Sequence, residues 1–183
     1  MKIFKFTLYL LFFLFLISSK SYSQEPYTIT SESLEIIPNK HLSFLEGFDE
    51  TVSFATLENA EWSEKRLNVQ SMVDGYWVRF TVKNNLQTDK IGLSHNFNYE
   101  KKIFIKNSLG IDEFRYWKAG INKHFEETHI GSEFRIHVPK NRKTTIYNFF
   151  RNYPVDRFNS MDNYHRIMIG SWESLRNKEF FRI

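Results

Sequence analysis

Trp77 and Arg79 stand two residues apart in Gly75–Asn85, GYWVRFTVKNN. A flat indole can stack on the C–H face of a sugar ring, and a guanidinium beside it can hydrogen-bond the hydroxyls. The same two residue types recur as Arg115 and Trp117 in Phe114–Lys118, FRYWK. Tyr147 and Phe149, in Thr144–Arg151, TTIYNFFR, supply a third aromatic wall. Such a set binds ligands; it does not cleave them.

The elements that carry these residues follow from alternation. Val78, Phe80 and Val82 alternate with Trp77, Arg79, Thr81 and Lys83, the period of two of a strand with two differently built faces. The aliphatic face suits a core, and the other offers Trp77 and Arg79 to a ligand. A plainer alternative has Trp77 capped by the N-terminal segment and Arg79 paired with a surface acid, because sandwiches often bury a second aromatic stripe.

Other chemistry finds little support. His124 and His129 bracket Glu126 and Glu127 in HFEETH, but the spacing is not the HExxH of a zinc helix, and His41, His95, His137 and His165 are scattered. A polar loop is expected there, with no metal and no cofactor. No GxSxG elbow or Gly-rich phosphate loop occurs. Asp112-Glu113 and Glu126-Glu127 are adjacent acids, which on a strand point to opposite faces and make no glycosidase pair. Arg135, Lys140, Arg142 and Lys143 gather around Pro139 as a solvated basic turn, with contact to an anionic polymer or membrane surface as the alternative. The expectation is a protein that is not an enzyme.

The N-terminus addresses the chain outward. Lys2 and Lys5 precede the apolar run Leu8–Ile17, and Ser21-Tyr22-Ser23 places small residues at −3 and −1 of a cleavage before Gln24. This is the layout of a secretory signal peptide over residues 1–23, and the run is short of the roughly 20 residues of a membrane span. An uncleaved N-terminal anchor is the alternative. Removing residues 1–23 takes three lysines and no acid, so 22 basic residues face 21 acidic ones and the formal charge falls from +4 to +1. No lysine/arginine-dense run remains, and nucleic acid is set aside. The absence of cysteine excludes a disulfide framework. With 19 Phe, 9 Tyr and 4 Trp, a conventional aromatic core must hold the domain, expected over residues 24–183 in a periplasmic or extracellular setting.

Gln24–Leu42, with apolar patches at Tyr27, Ile29 and at Leu34, Ile36, Ile37, suits an extended lead-in with one or two short strands. Further strands are expected from Tyr76 and over Ile91–Phe97, Lys101–Lys106, Phe114–Lys118, Phe134–Val138, Thr144–Arg151 and Tyr164–Gly170. Turn residues separate them, among them Asn84-Asn85, Asn107–Gly110 and Pro139–Asn141. A short helix is expected within Phe48–Trp62, with Asp49 and Glu50 at its start, and another from Ser171 to Ile183. The pattern is all-β, an antiparallel jelly-roll-like β-sandwich with those two helices.

GYWVRFTVKNN, the paired strands ending in Lys101–Lys106, the isolated Gly120 and TTIYNFFRNYP follow one another in an order that resembles a known family. It is the type 2 extracellular sensor domain of bacterial seven-transmembrane receptors with diverse intracellular signalling modules (7TMR-DISM). HLSFLEG at 41–47 fits the same layout, and the resemblance spans about residues 30–180. It implies a jelly-roll sandwich akin to carbohydrate-binding modules that senses a ligand outside the cytoplasm, with seven membrane helices and an output module as partners. Two departures stand out. Phe149 occupies a place where the family carries Arg, with Arg151 two positions on, and no receptor helices follow Ile183 in this sequence. Ligand binding, of a carbohydrate or other small molecule, is the role carried over. The runner-up is a stand-alone carbohydrate-binding or surface-interaction protein, and a small exported hydrolase is a third.

Overall fold

The computed structural model describes residues 24–65, 75–95, 100–117, 133–150 and 167–180. Among the described residues ten strands form two sheets, and the chain is all-β in class. The larger sheet holds β1 (Tyr27–Ile29), β3 (Ser43–Glu46), β4 (Tyr76–Asn84), β6 (Glu100–Asn107), β7 (Gly110–Trp117) and β9 (Lys143–Phe150). Its order is β1-β4-β9-β6-β7, with β3 also against β4. The smaller sheet runs β2 (Glu35–Ile36), β10 (Ile167–Ser171), β5 (Lys90–His95), β8 (Glu133–His137).

Pairing is antiparallel except at one edge, where β1 runs parallel to β4 and sets Tyr27 opposite Val82 and Ile29 opposite Asn84. The other half of the same edge of β4 takes β3, with Leu45 opposite Trp77 and Ser43 opposite Arg79. The sequence reading expected neither the parallel pair nor β3. SFLE has three consecutive buried residues, so it shows no alternation to read.

Between the sheets lies the main core. Val78, Phe80, Val82, Ile103, Ile105 and Ile146 of the larger sheet meet Ile91, Leu93, Ile136, Ile167 and Ile169 of the smaller. Tyr76 and Phe150 stack at 5.5 Å with planes 10° apart. Asn84 is a buried amide in this core with its hydrogen bonds made. Its Nδ2 donates to Val138 O (2.7 Å) and Thr88 O (2.8 Å), while its Oδ1 accepts from Leu86 N (2.9 Å), which locks the β4–β5 turn onto the end of β8.

Helix α1 is shorter than the sequence suggests, Phe54–Asn59, with Ser53 as its N-cap accepting from Thr56 N. Asp49 and Glu50 precede it and are not in its first turn. Asp49 instead accepts from the Thr51 N–H and hydroxyl, closing a turn of its own. Helix α2, Trp172–Phe180, opens as expected on Ser171, whose Oγ accepts from Ser174 N at 3.1 Å, with Glu173 in the first turn. Among the described residues no helix is long and apolar enough to cross a membrane. The signal segment 1–23 and HFEETH lie outside the described residues.

Two phenols tie the fold to pH. Burial pushes the Tyr76 hydroxyl well above the usual range, and Tyr27 is pushed up to about 12, first by burial and then by its hydrogen bond to Glu35 Oε2 at 2.6 Å. Both raised values mean that the folded state holds these protons more tightly than the unfolded chain does. That stability is complete below the unfolded value of about 10 and is lost as pH rises through the folded values. The urea midpoint should therefore fall steeply from about pH 10 to 12, and less so in Tyr27→Phe. A midpoint unchanged across that window would contradict the assignment.

Candidate functional site

Alternation along β4 turns Trp77, Arg79, Thr81 and Lys83 away from the core, onto the outer face of the larger sheet. The register extends this stripe sideways. Trp77 pairs with Phe149 and Arg79 with Tyr147 on β9, and Tyr147 pairs with Phe104 on β6. The stripe is aromatic at the Trp77 end and polar at the other, where the Thr81 and Thr145 hydroxyls meet at 3.0 Å.

The aromatic half has its own roof. After β3 the chain turns at Gly47, passes over the sheet through α1, and comes back to β3, where Ser63 and Phe44 exchange two backbone hydrogen bonds of 2.7 and 2.9 Å. This strap packs Phe48, Val52, Phe54, Leu57, Ala60 and Trp62 onto Leu45, Trp77, Phe104, Tyr147 and Phe149. Two side chains of the sheet hold its backbone. Trp77 Nε1 donates to Asp49 O at 3.1 Å, and Lys102 Nζ donates to Val52 O at 3.0 Å. Lys102 is only 3% exposed; Glu113 at 3.6 Å and the Phe104 ring at 4.7 Å compensate its charge.

This corrects the reading of Trp77 as a stacking platform. The ring is 0% exposed, lies 5.4 Å from Phe149 and 5.8 Å from Phe104, and its N–H is engaged by the strap. It is core. Its cover is the strap between β3 and β4 and not the N-terminal segment, and Arg79 meets no surface acid among the described residues. Tyr147 is buried to 4% exposure, so its ring too belongs to the packed cluster.

The ring that takes the exposed place is Trp62. It is half-buried at the returning end of the strap, fixed by a hydrogen bond of 2.9 Å from its Nε1 to Leu57 O. The half-buried Arg79 guanidinium sits 4.7 Å over it, within cation–π range. Tyr147 meets Trp62 edge-on at 5.6 Å and accepts a hydrogen bond from Arg79. Lys106, ion-paired with Glu58 of α1, lies over Phe54 on the other flank. Burial draws the Arg79 pKa down and pushes the Tyr147 hydroxyl up, each partly offset by the other. Both stay in their ordinary charge states at neutral pH, so the site presents a cation and a phenol beside an indole.

Arg115 and Trp117 fall in the same ladder, opposite Lys102 and Glu100. Their side chains are outside the described residues, so only their register is assigned. Sequence reasoning missed Trp62, Glu58, Lys106 and Lys102. The available signal was a lone Trp between Glu61 and Glu64 in an otherwise polar stretch. No group of three or more His, Asp or Glu that could hold a metal occurs among the described residues.

Fold and site together define a two-sheet all-β sandwich whose outer face carries a strapped aromatic cluster with an indole and a guanidinium at its edge. No family model, curated protein or solved structure matches this chain.

Proposed function

We propose that this protein is an exported, non-catalytic ligand-binding domain that takes a carbohydrate-like ligand at the Trp62–Arg79–Tyr147 edge. In this reading it is the sensory part of a bacterial receptor of the 7TMR-DISM kind, or a relative of one. The observation that carries the binding role is the half-buried indole of Trp62, locked through its N–H and set 4.7 Å from a guanidinium. A ring whose donor is already used is a rigid apolar surface, suited to the C–H face of a pyranose at small entropic cost. Arg79 supplies directional donors next to it. The receptor role rests on the sequence resemblance, and the exported setting on residues 1–23.

The test is a glycan array probed with the full chain expressed with its leader, alongside Trp62→Ala. The reading expects selective binding to a small set of saccharides, lost in the variant while its circular dichroism is unchanged. Absence of binding across the array would refute it. N-terminal sequencing of the same material should begin at Gln24.

A further inference from the structure

The charge state of the ligand can be read from Arg79. Its guanidinium is half-buried, carries the Trp62 ring on one side and donates to the Tyr147 hydroxyl. Among the described residues no carboxylate lies within ion-pair distance of it. The neighbouring cations differ in this respect, since Lys102 has Glu113 and Lys106 has Glu58. Of the strap's acids, Glu58 is committed to Lys106, and among the described residues no other acid of the strap is ion-paired with Arg79. Arg79 has five N–H donors in a planar fork, and one hydroxyl does not use them. A partly desolvated guanidinium lacking a counter-ion is costly, and a planar anion arriving in its fork would recover that cost.

We propose that Arg79 is the anion-recognising group of this site and that the ligand is an acidic saccharide, its carboxylate held by Arg79 and its ring against Trp62. This rests on the binding role proposed above and narrows it to one ligand class. The two contacts are mutually consistent in geometry, because an aromatic ring on one side of a guanidinium leaves its in-plane donors for a carboxylate. A uronic acid places its carboxylate directly on the pyranose, and because Arg79 covers one face of the indole the sugar meets Trp62 on the part of the ring the guanidinium leaves free.

The experiment compares uronic-acid oligosaccharides with their carboxyl-reduced counterparts, which differ only in that CO2⁻ has become CH2OH. The full chain is titrated with each, as are Arg79→Met, Arg79→Lys and Trp62→Ala. The uronates should bind about 10- to 100-fold more tightly than the reduced forms, the range expected when a charge-assisted hydrogen-bonded contact is lost. Arg79→Met should erase that preference and leave the weak binding of the reduced form. Arg79→Lys should restore part of it, since it keeps the charge without the fork. Trp62→Ala should weaken both ligands together. Equal binding of both forms by the unaltered chain, a comparison that needs no variant to fold, would overturn the acidic-ligand proposal and leave the saccharide-binding reading standing. No binding of either form would also overturn the acidic-ligand proposal, while the glycan array decides the saccharide-binding reading.

Discussion

Trp77→Ala should cost the domain about 3–5 kcal/mol of stability, the range for deleting a large aromatic from a packed core. Trp77 is fully buried between sheet and strap, against Phe104 and Phe149. Its loss opens a cavity beneath the strap and leaves the Asp49 carbonyl without the indole donor that engages it. Marginal domains hold only about 5–15 kcal/mol in total, so a large share disappears. Urea denaturation followed by circular dichroism measures this directly. A change below about 1 kcal/mol, the scale of an ordinary surface substitution, would place Trp77 outside the core.

Gly170→Ala should cost about 1–3 kcal/mol, for the opposite reason: it adds an atom where none fits. Gly170 is the penultimate residue of β10, and the segment Glu32–Ser33 crosses directly over it. A Cβ there would stand 2.6 Å from the Ser33 carbonyl oxygen and 2.9 Å from that of Glu32. Both are backbone atoms, so relief requires the crossing segment to lift. That movement strains the Ser171 N to Glu32 O hydrogen bond of 2.8 Å and, with it, the edge pairing of β2 on β10. The same urea titration reads the effect. An unchanged midpoint would show that the crossing segment yields without penalty.

Much of the fold was legible because the residues that build it alternate strongly. Val78, Phe80 and Val82 announce the inner face of β4, and Ile103, Ile105 and Ile136 do the same for β6 and β8. Ser171 announces a helix cap from its own side-chain chemistry. The outer face was ambiguous for a physical reason. Both faces of the first half of β4 are buried, one by a sheet and one by a strap, and a strand's own residues do not reveal which cover will arrive. An aromatic stripe for ligand and an aromatic stripe for a roof have the same composition. Asp49 misled by position, since an acid ahead of an apolar run reads as a helix start although it closes a turn on Thr51. Lys102 sits in KKIFIK, where a lysine opposite an apolar alternation reads as solvated; its burial depends on Val52, fifty residues away. Trp62 reaches Arg79 only because the strap returns to β3 at Ser63, a closure that no local pattern encodes.

The same geometry separates the roles of two tryptophans that composition alone treats alike. Trp77 holds the strap down, and Trp62 is presented by it. The measurement that tests this most directly is calorimetric titration of a saccharide selected on the array into the full chain, Trp62→Ala and Trp77→Phe. Trp77→Phe keeps an aromatic beneath the strap and should bind with near-unchanged affinity at reduced stability, while Trp62→Ala should stay folded and lose binding. Binding retained by Trp62→Ala but lost by a folded Trp77→Phe would contradict the account and return the ligand to the face beneath the strap.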